Sequence, residues 1–203
     1  MRMESPQLIA ELSAFSNAAV QDARKFKDLG LKQLNSKPEP DGWSILQCLE
    51  HLNVYGDYYL PEIQRSMDGS RFKFPAVFFN SGWIGEYFVS LIRADRGKMK
   101  KMKTPVNMKP AEGELGYTTI DRFLKQMEYL QTLLVKAENV DLSRTKTSIA
   151  LTSMIKLRLG DTLRFVVYHI DRHIRQANKI APWGEAGGKE EDQAHNSGLK
   201  RQH

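Results

Sequence analysis

Residues 168–176 read YHIDRHIRQ, and the architecture of the chain turns on this stretch. Phe165, Val166 and Ile180 recur around it at helical spacing, so the segment is expected to be a helix with an apolar face. At about 100° per residue, His169 and His173 lie roughly 40° apart around the axis, and Gln176 falls about 20° to the other side of His169. All three share the stripe of Phe165, Val166 and Ile180, while Asp171 and Arg175 point elsewhere. A buried imidazole is costly when charged and needs a hydrogen-bond partner when neutral. Two arrangements answer that need. Each histidine can have its own partner in the core, or the pair at i and i+4 can converge on one divalent ion at Zn–N distances of about 2.0–2.1 Å.

Working outward, Asp161 is the expected N-cap of this last helix, which should continue to about Ile180 before Pro182 and Gly184 end it. Upstream, Leu8, Leu12, Phe15, Ala19, Phe26 and Leu29 define a first amphipathic helix over residues 6–34, stopped by NSKPEPDG. The second opens at WSILQ, where Ser44 can cap, Gln47 can reach back in a capping box, and Trp43 can staple onto Cys48. It should run from Ile45 to Met67, with Pro61 kinking it or marking its change into another element. Ile120, Phe123, Leu124, Met127, Leu130 and Leu134 predict a third helix over 119–137.

Residues 141–159 read as a connection with short ordered pieces. The aromatic-rich 71–92, RFKFPAVFFNSGWIGEYFVSLI, is expected to pack across the open end of the bundle rather than on a membrane surface, because Asn80 and Glu86 interrupt its apolar run. Four long helices with no convincing strand and no internal repeat make an all-α four-helix bundle the expected fold. Residues 1–183 should form this one domain, and the polar 184–203 a flexible tail.

His51 lies in the second helix on the side shared by Cys48, Val54, Tyr55 and Tyr58. In an antiparallel or crossed packing of the second and fourth helices, it can meet His169 and His173. His195 and His203 fall in the polar tail and read as solvated side chains. Cys48 reads as a small core residue. As the one cysteine it has no internal disulfide partner, which suits a reducing compartment.

The 203-residue chain, 41% hydrophobic, is long enough for one sizeable core. No run of 18 apolar residues and no signal-like N-terminus is visible, so a cytoplasmic protein with no membrane partner is expected. The net charge of +6 is spread along most of the sequence. Its one cluster is 93–109, where Arg93, Arg96, Lys98, Lys100, Lys101, Lys103 and Lys109 face a single acid, Asp95. With no aromatic residue to stack on a base, this segment reads as a solvated loop and not as a nucleic-acid site.

WSILQCLEHL (43–52) together with LGDTLRFVVYHIDRHIRQ (159–176) resembles the DinB-like superfamily of metal-binding four-helix bundles, which includes bacillithiol and related thiol S-transferases. KMKTP (101–105) also resembles a connection found in some members. The resemblance covers nearly all of residues 1–183. It implies an up-down-down-up bundle with long crossovers, often paired as a homodimer. It also implies a divalent ion, zinc or nickel above all, held by His51, His169 and His173 with coordination positions left open.

Three neutral imidazoles leave such an ion its full charge, which favours bound hydroxide or thiolate near neutral pH. The function implied is a metal-dependent enzyme that activates a low-molecular-weight thiol for transfer to an electrophile. No general-base carboxylate stands at motif spacing, which argues more against a metal-dependent hydrolase than against thiol transfer. The other alternative is a non-catalytic bundle in which the ion only cross-links two helices. Gln176 can orient a ligand or make an interhelical hydrogen bond, and Tyr55 and Tyr58 can offer phenols near His51 or simply pack.

Overall fold

Three of the long helices begin or end where the sequence places them, and the departures concentrate in the connections. The computed structural model describes residues 1–93, 104–150 and 152–196, with side chains described outside 152–154 and 182–196. In chain order the elements are β1 (Arg2–Glu4), α1 (Ser5–Phe26), α2 (Leu31–Asn35), α3 (Ile45–Asp68), β2 (Phe78–Asn80) and α4 (Trp83–Ile92). A 3-10 turn (Val106–Met108), α5 (Tyr117–Ala137), β3 (Lys146–Ile149), β4 (Thr152–Arg158) and α6 (Leu159–Asn196) complete the chain.

The core is helical. α3 packs on α5 and α6, and α1 packs on the same two helices, so the four long helices form a ring with α1 opposite α3. The directions follow from the pairs that meet. Tyr168 donates to Glu11 and Asn178 to Asp22, so α1 and α6 run in the same sense. Arg122 pairs with Glu50, and Lys136 with Asp68, so α3 and α5 also run together. Gln131 of α5 donates to Asn17 while Lys27 pairs with Asp121, setting α1 against α5. Leu8, Leu12, Leu49, Ile63, Leu130 and Leu163 are fully buried between these helices.

The opening of α3 forms as its sequence dictates. Ser44 Oγ accepts from the Gln47 backbone N–H, and Gln47 Oε1 accepts from the Ser44 N–H, a box worth about 1 kcal/mol. Pro61 does not end this helix, which runs on to Asp68. The single long first helix is corrected: α1 stops at Phe26, and α2 is a separate turn held by Asn35, which exchanges hydrogen bonds with the backbone of Leu115. At the other end of the chain, α6 continues through Pro182 and Gly184 to Asn196, beyond the expected stop at Ile180.

The expectation of no strands is also corrected. β1 pairs antiparallel with β2, and β3 with β4. In the second hairpin Thr147 and Ile149 face the core while Lys146 faces solvent, the alternation of a half-buried strand. Part of 71–92 packs inward as expected, with Phe79 fully buried against Gly160, whose missing side chain admits the ring. Phe74 and Trp83 instead remain 85% and 83% exposed.

Asp161 does not cap α6, which starts two residues earlier. Its carboxylate accepts from Ser81 Oγ at 2.5 Å and from the Gly82 N–H at 2.8 Å, so it holds the residues that lead into α4 and ties that helix to α6. Gly85 lies so close beneath Asp161 that no Cβ fits. Most of the 93–109 basic cluster lies outside the described residues. Among the described residues no helix is long and apolar enough to cross a membrane.

Candidate metal centre

Because α3 and α6 run in opposite senses, the inward faces of His51, in the N-terminal third of α3, and of the His169/His173 pair on α6 meet inside the bundle. All three side chains are buried, and one ligand nitrogen from each lies within 4.8 Å of the others. Nε2 of His169 is 3.3 Å from Nε2 of His51 and 3.1 Å from Nε2 of His173. Two nitrogens bound tetrahedrally to one zinc ion stand roughly 3.3 Å apart.

The outer nitrogens set the tautomers. His51 Nδ1–H donates to the Met108 carbonyl at 2.7 Å, and His173 Nδ1–H donates to Gln176 Oε1 at 3.0 Å. With those protons outside, both Nε2 atoms present lone pairs inward. One proton on His169 Nε2 can bridge to only one of them, which leaves another nitrogen pair lone pair against lone pair. A divalent cation resolves that conflict, and the donor set of three neutral imidazoles fits zinc, nickel, copper or iron.

The electrostatics agree. Burial pushes His51 down to about 4, against the opposing bond to Met108. His173 falls to about 3 through burial, with His51 and Arg172 adding to it. His169 is held well below the ordinary histidine value, by burial first and then by the neighbouring imidazoles. All three are neutral at pH 7 and ready to ligate without losing a proton.

Aromatic rings wall the cluster. Trp43 stacks on His173 at 5.5 Å and tilts against His51 at 4.7 Å; Phe165 stacks on His169 at 5.7 Å. Tyr55 lies 4.8 Å from His51 and 4.4 Å from His169, whereas Tyr58 packs on Tyr59. All three histidines open onto one cavity of about 1300 Å³. No fourth histidine, cysteine or carboxylate joins the cluster among the described residues. Cys48 is fully buried away from it, its thiol pushed up to about 12 by burial.

The structure therefore brings together the three residues singled out in the sequence and gives Gln176 the role of His173's partner. It adds three that sequence reasoning missed. Trp43 is a wall of the site, Phe165 stacks on a histidine, and the Met108 carbonyl orients His51 across 57 residues of chain. Phe165 carried a signal, being one turn before His169. A backbone carbonyl carries none.

The chain matches the DinB superfamily over residues 16–177 and belongs to it. No curated protein and no solved structure gives a significant match.

Proposed function

We propose that His51, His169 and His173 hold one divalent metal ion, and that the protein uses it to activate a low-molecular-weight thiol for transfer to an electrophile. The observation that carries this reading is the convergence of three Nε2 atoms, two of them left unprotonated by their outer hydrogen bonds, at the wall of an open cavity. An ion in that position supplies positive charge that favours a thiolate over a thiol. The chain's own groups do the rest. Met108 and Gln176 fix the two outer imidazoles in the ligating tautomer, and Trp43, Tyr55 and Phe165 limit the water that competes for the same position. The sulfur lone pair then forms the new S–C bond, the electrophile's leaving group departs with its bonding pair, and the thiol proton goes to solvent.

Open access favours a reactive centre over a purely cross-linking ion, since a structural site is closed by a fourth protein ligand. Metal analysis of protein purified without a nickel resin tests the first half: about one ion per chain is expected, falling close to zero in His169→Ala. Unchanged metal content in that variant refutes the site. Thiol titration into cobalt-substituted protein tests the second half, with a changed visible spectrum and metal-dependent consumption of an electrophile as the expected results. An unaltered spectrum at saturating thiol, with no consumption, favours the cross-linking role.

A further inference from the structure

The cavity is not uniform along the bundle axis. From the histidines toward Tyr59 on α3 and Phe165 on α6, its lining carries no charge among the described residues. Tyr55 and Tyr59 stack at 6.0 Å, Phe165 lies 5.6 Å from Tyr59 and 6.4 Å from Phe88, and the β3–β4 hairpin closes the far end with Ile149, Ala150 and Leu157. The Ala150 N–H donates to the Tyr59 hydroxyl at 3.3 Å, which ties the hairpin to this wall. In the other direction the lining is charged: it comes from residues 37–41, from residues 109–112, and from Arg172 and Lys179 on α6. The three histidines sit at the junction of the two arms.

We propose that the uncharged arm is the electrophile subsite, and that it takes an uncharged aryl or alkyl body whose reactive carbon faces the histidines. The assignment rests on the thiol-transfer reading above and deepens it. Burying a charge in a pocket lined by Tyr55, Tyr59, Phe88 and Phe165 is costly without a partner, while an apolar body gains from every area of ring it covers. The hydrophilic thiol is left to the charged arm. Tyr59 stands eight residues along α3 from His51, so at 1.5 Å per residue the arm is about 12 Å deep. That depth accommodates one aromatic ring bearing a short alkyl chain. In the reaction the thiolate sulfur approaches from the charged side and forms the S–C bond at the junction. The leaving group departs with its electron pair, and the thiol proton exits through the charged arm.

The neutral fluorophore N-phenyl-1-naphthylamine probes the arm without requiring turnover. Wild-type protein loaded with metal should bind one equivalent with saturable enhancement. Ala150→Trp, which fills the arm, and Phe88→Asp, which places a carboxylate in it, should each weaken binding at least tenfold at unchanged metal content and helicity. Lys179→Glu in the charged arm should change it less than twofold. Along a series of neutral alkyl electrophiles, kcat/KM should rise about fourfold per added methylene until the arm is full. Equal probe affinity in wild type and both arm variants, or no saturable binding at all, overturns the subsite. Probe binding that is lost in both arm variants, in a protein that consumes no electrophile with any thiol, overturns the thiol-transfer reading and leaves the apolar subsite standing. Turnover that ignores chain length and prefers small charged electrophiles does the reverse.

Discussion

Two polar clusters are buried in this bundle within a few residues of each other on α6, and they solve the problem of burial in opposite ways. At Arg164 the charge is met from within. Its guanidinium, fully buried, donates to Glu86 at 3.0 Å, Ser81 at 3.1 Å and Asp161 at 3.3 Å, leaving only Nε without a partner. The charge is met by carboxylates and every donor but Nε is matched, and the result is a joint that fastens α4 to α6. At His51, His169 and His173 three ring nitrogens converge, and the protein fixes the outer nitrogens of His51 and His173 so that their inward atoms are acceptors. A buried cluster whose charges meet partners within the chain is architecture; one whose ligand nitrogens converge can accept a cation.

Acid separates the two most sharply. In the metal-free protein the three imidazoles have folded-state values depressed below the ordinary 6.5, to about 4 for His51 and about 3 for His173. The unfolded chain therefore binds more protons as soon as pH drops below 6.5. The stability these groups contribute is fully present above that pH and is lost as pH falls toward 4. Each histidine adds a slope of up to about 1.4 kcal/mol per pH unit. Glu86 is different: its hydrogen bonds to Arg164 hold it below its ordinary 4.5, so its contribution is lost only in stronger acid. Urea unfolding of the metal-free protein should show stability dropping steeply between pH 6.5 and 4.5, and bound metal should raise the whole profile without lessening its slope in this window. A flat profile across this window without metal would mean that the imidazoles are not held neutral by burial.

Removing the guanidinium tests the self-satisfied cluster. Arg164→Leu leaves Asp161, almost fully buried, without its cation, and should cost about 3–5 kcal/mol by equilibrium unfolding. Metal stoichiometry of the folded variant should stay at the wild-type value. If metal binding disappears along with stability, the two clusters are one network and the contrast between them fails.

The sequence exposed the two clusters unequally. His51, His169 and His173 were legible because helical periodicity places them on apolar stripes, where imidazoles are out of character. The Arg164 joint was not, because two of its partners, Glu86 and Ser81, lie 78 and 83 residues away in a segment whose glycines and Pro75 obscure any period. Asp161 shows the limit most clearly. It has the right residue type at the right place to cap α6, yet it binds the residues just before α4, a choice made by tertiary contact. The β3–β4 hairpin was missed for a related reason: Lys146 to Ile149 alternates correctly, but Ala150-Leu151 lacks the Gly, Asn or Asp that announces a tight turn. The break between α1 and α2 falls at Lys27 to Gly30, where Leu29 continued the apolar spacing and hid it.

The smallest effect concerns the boundary of the histidine cluster. Among the described residues Gln176 is the side chain that fixes the tautomer of His173, accepting its Nδ1–H at 3.0 Å, whereas His51 is fixed by the backbone of Met108 and cannot be altered so simply. In Gln176→Ala the His173 proton is free to move to Nε2, where it blocks ligation, and part of the binding free energy goes into moving it back. Loss of such an outer partner lowers metal affinity by about 10–100-fold. Competition with a chromophoric chelator should show a weakening in this range, with one ion per chain still bound at saturation and little change in the stability of the metal-free protein. Gln176→Glu, which restores an acceptor and adds a negative charge near the ion, should recover affinity to the wild-type level or beyond. An alanine variant with wild-type affinity would place the tautomer of His173 under the control of the ion alone.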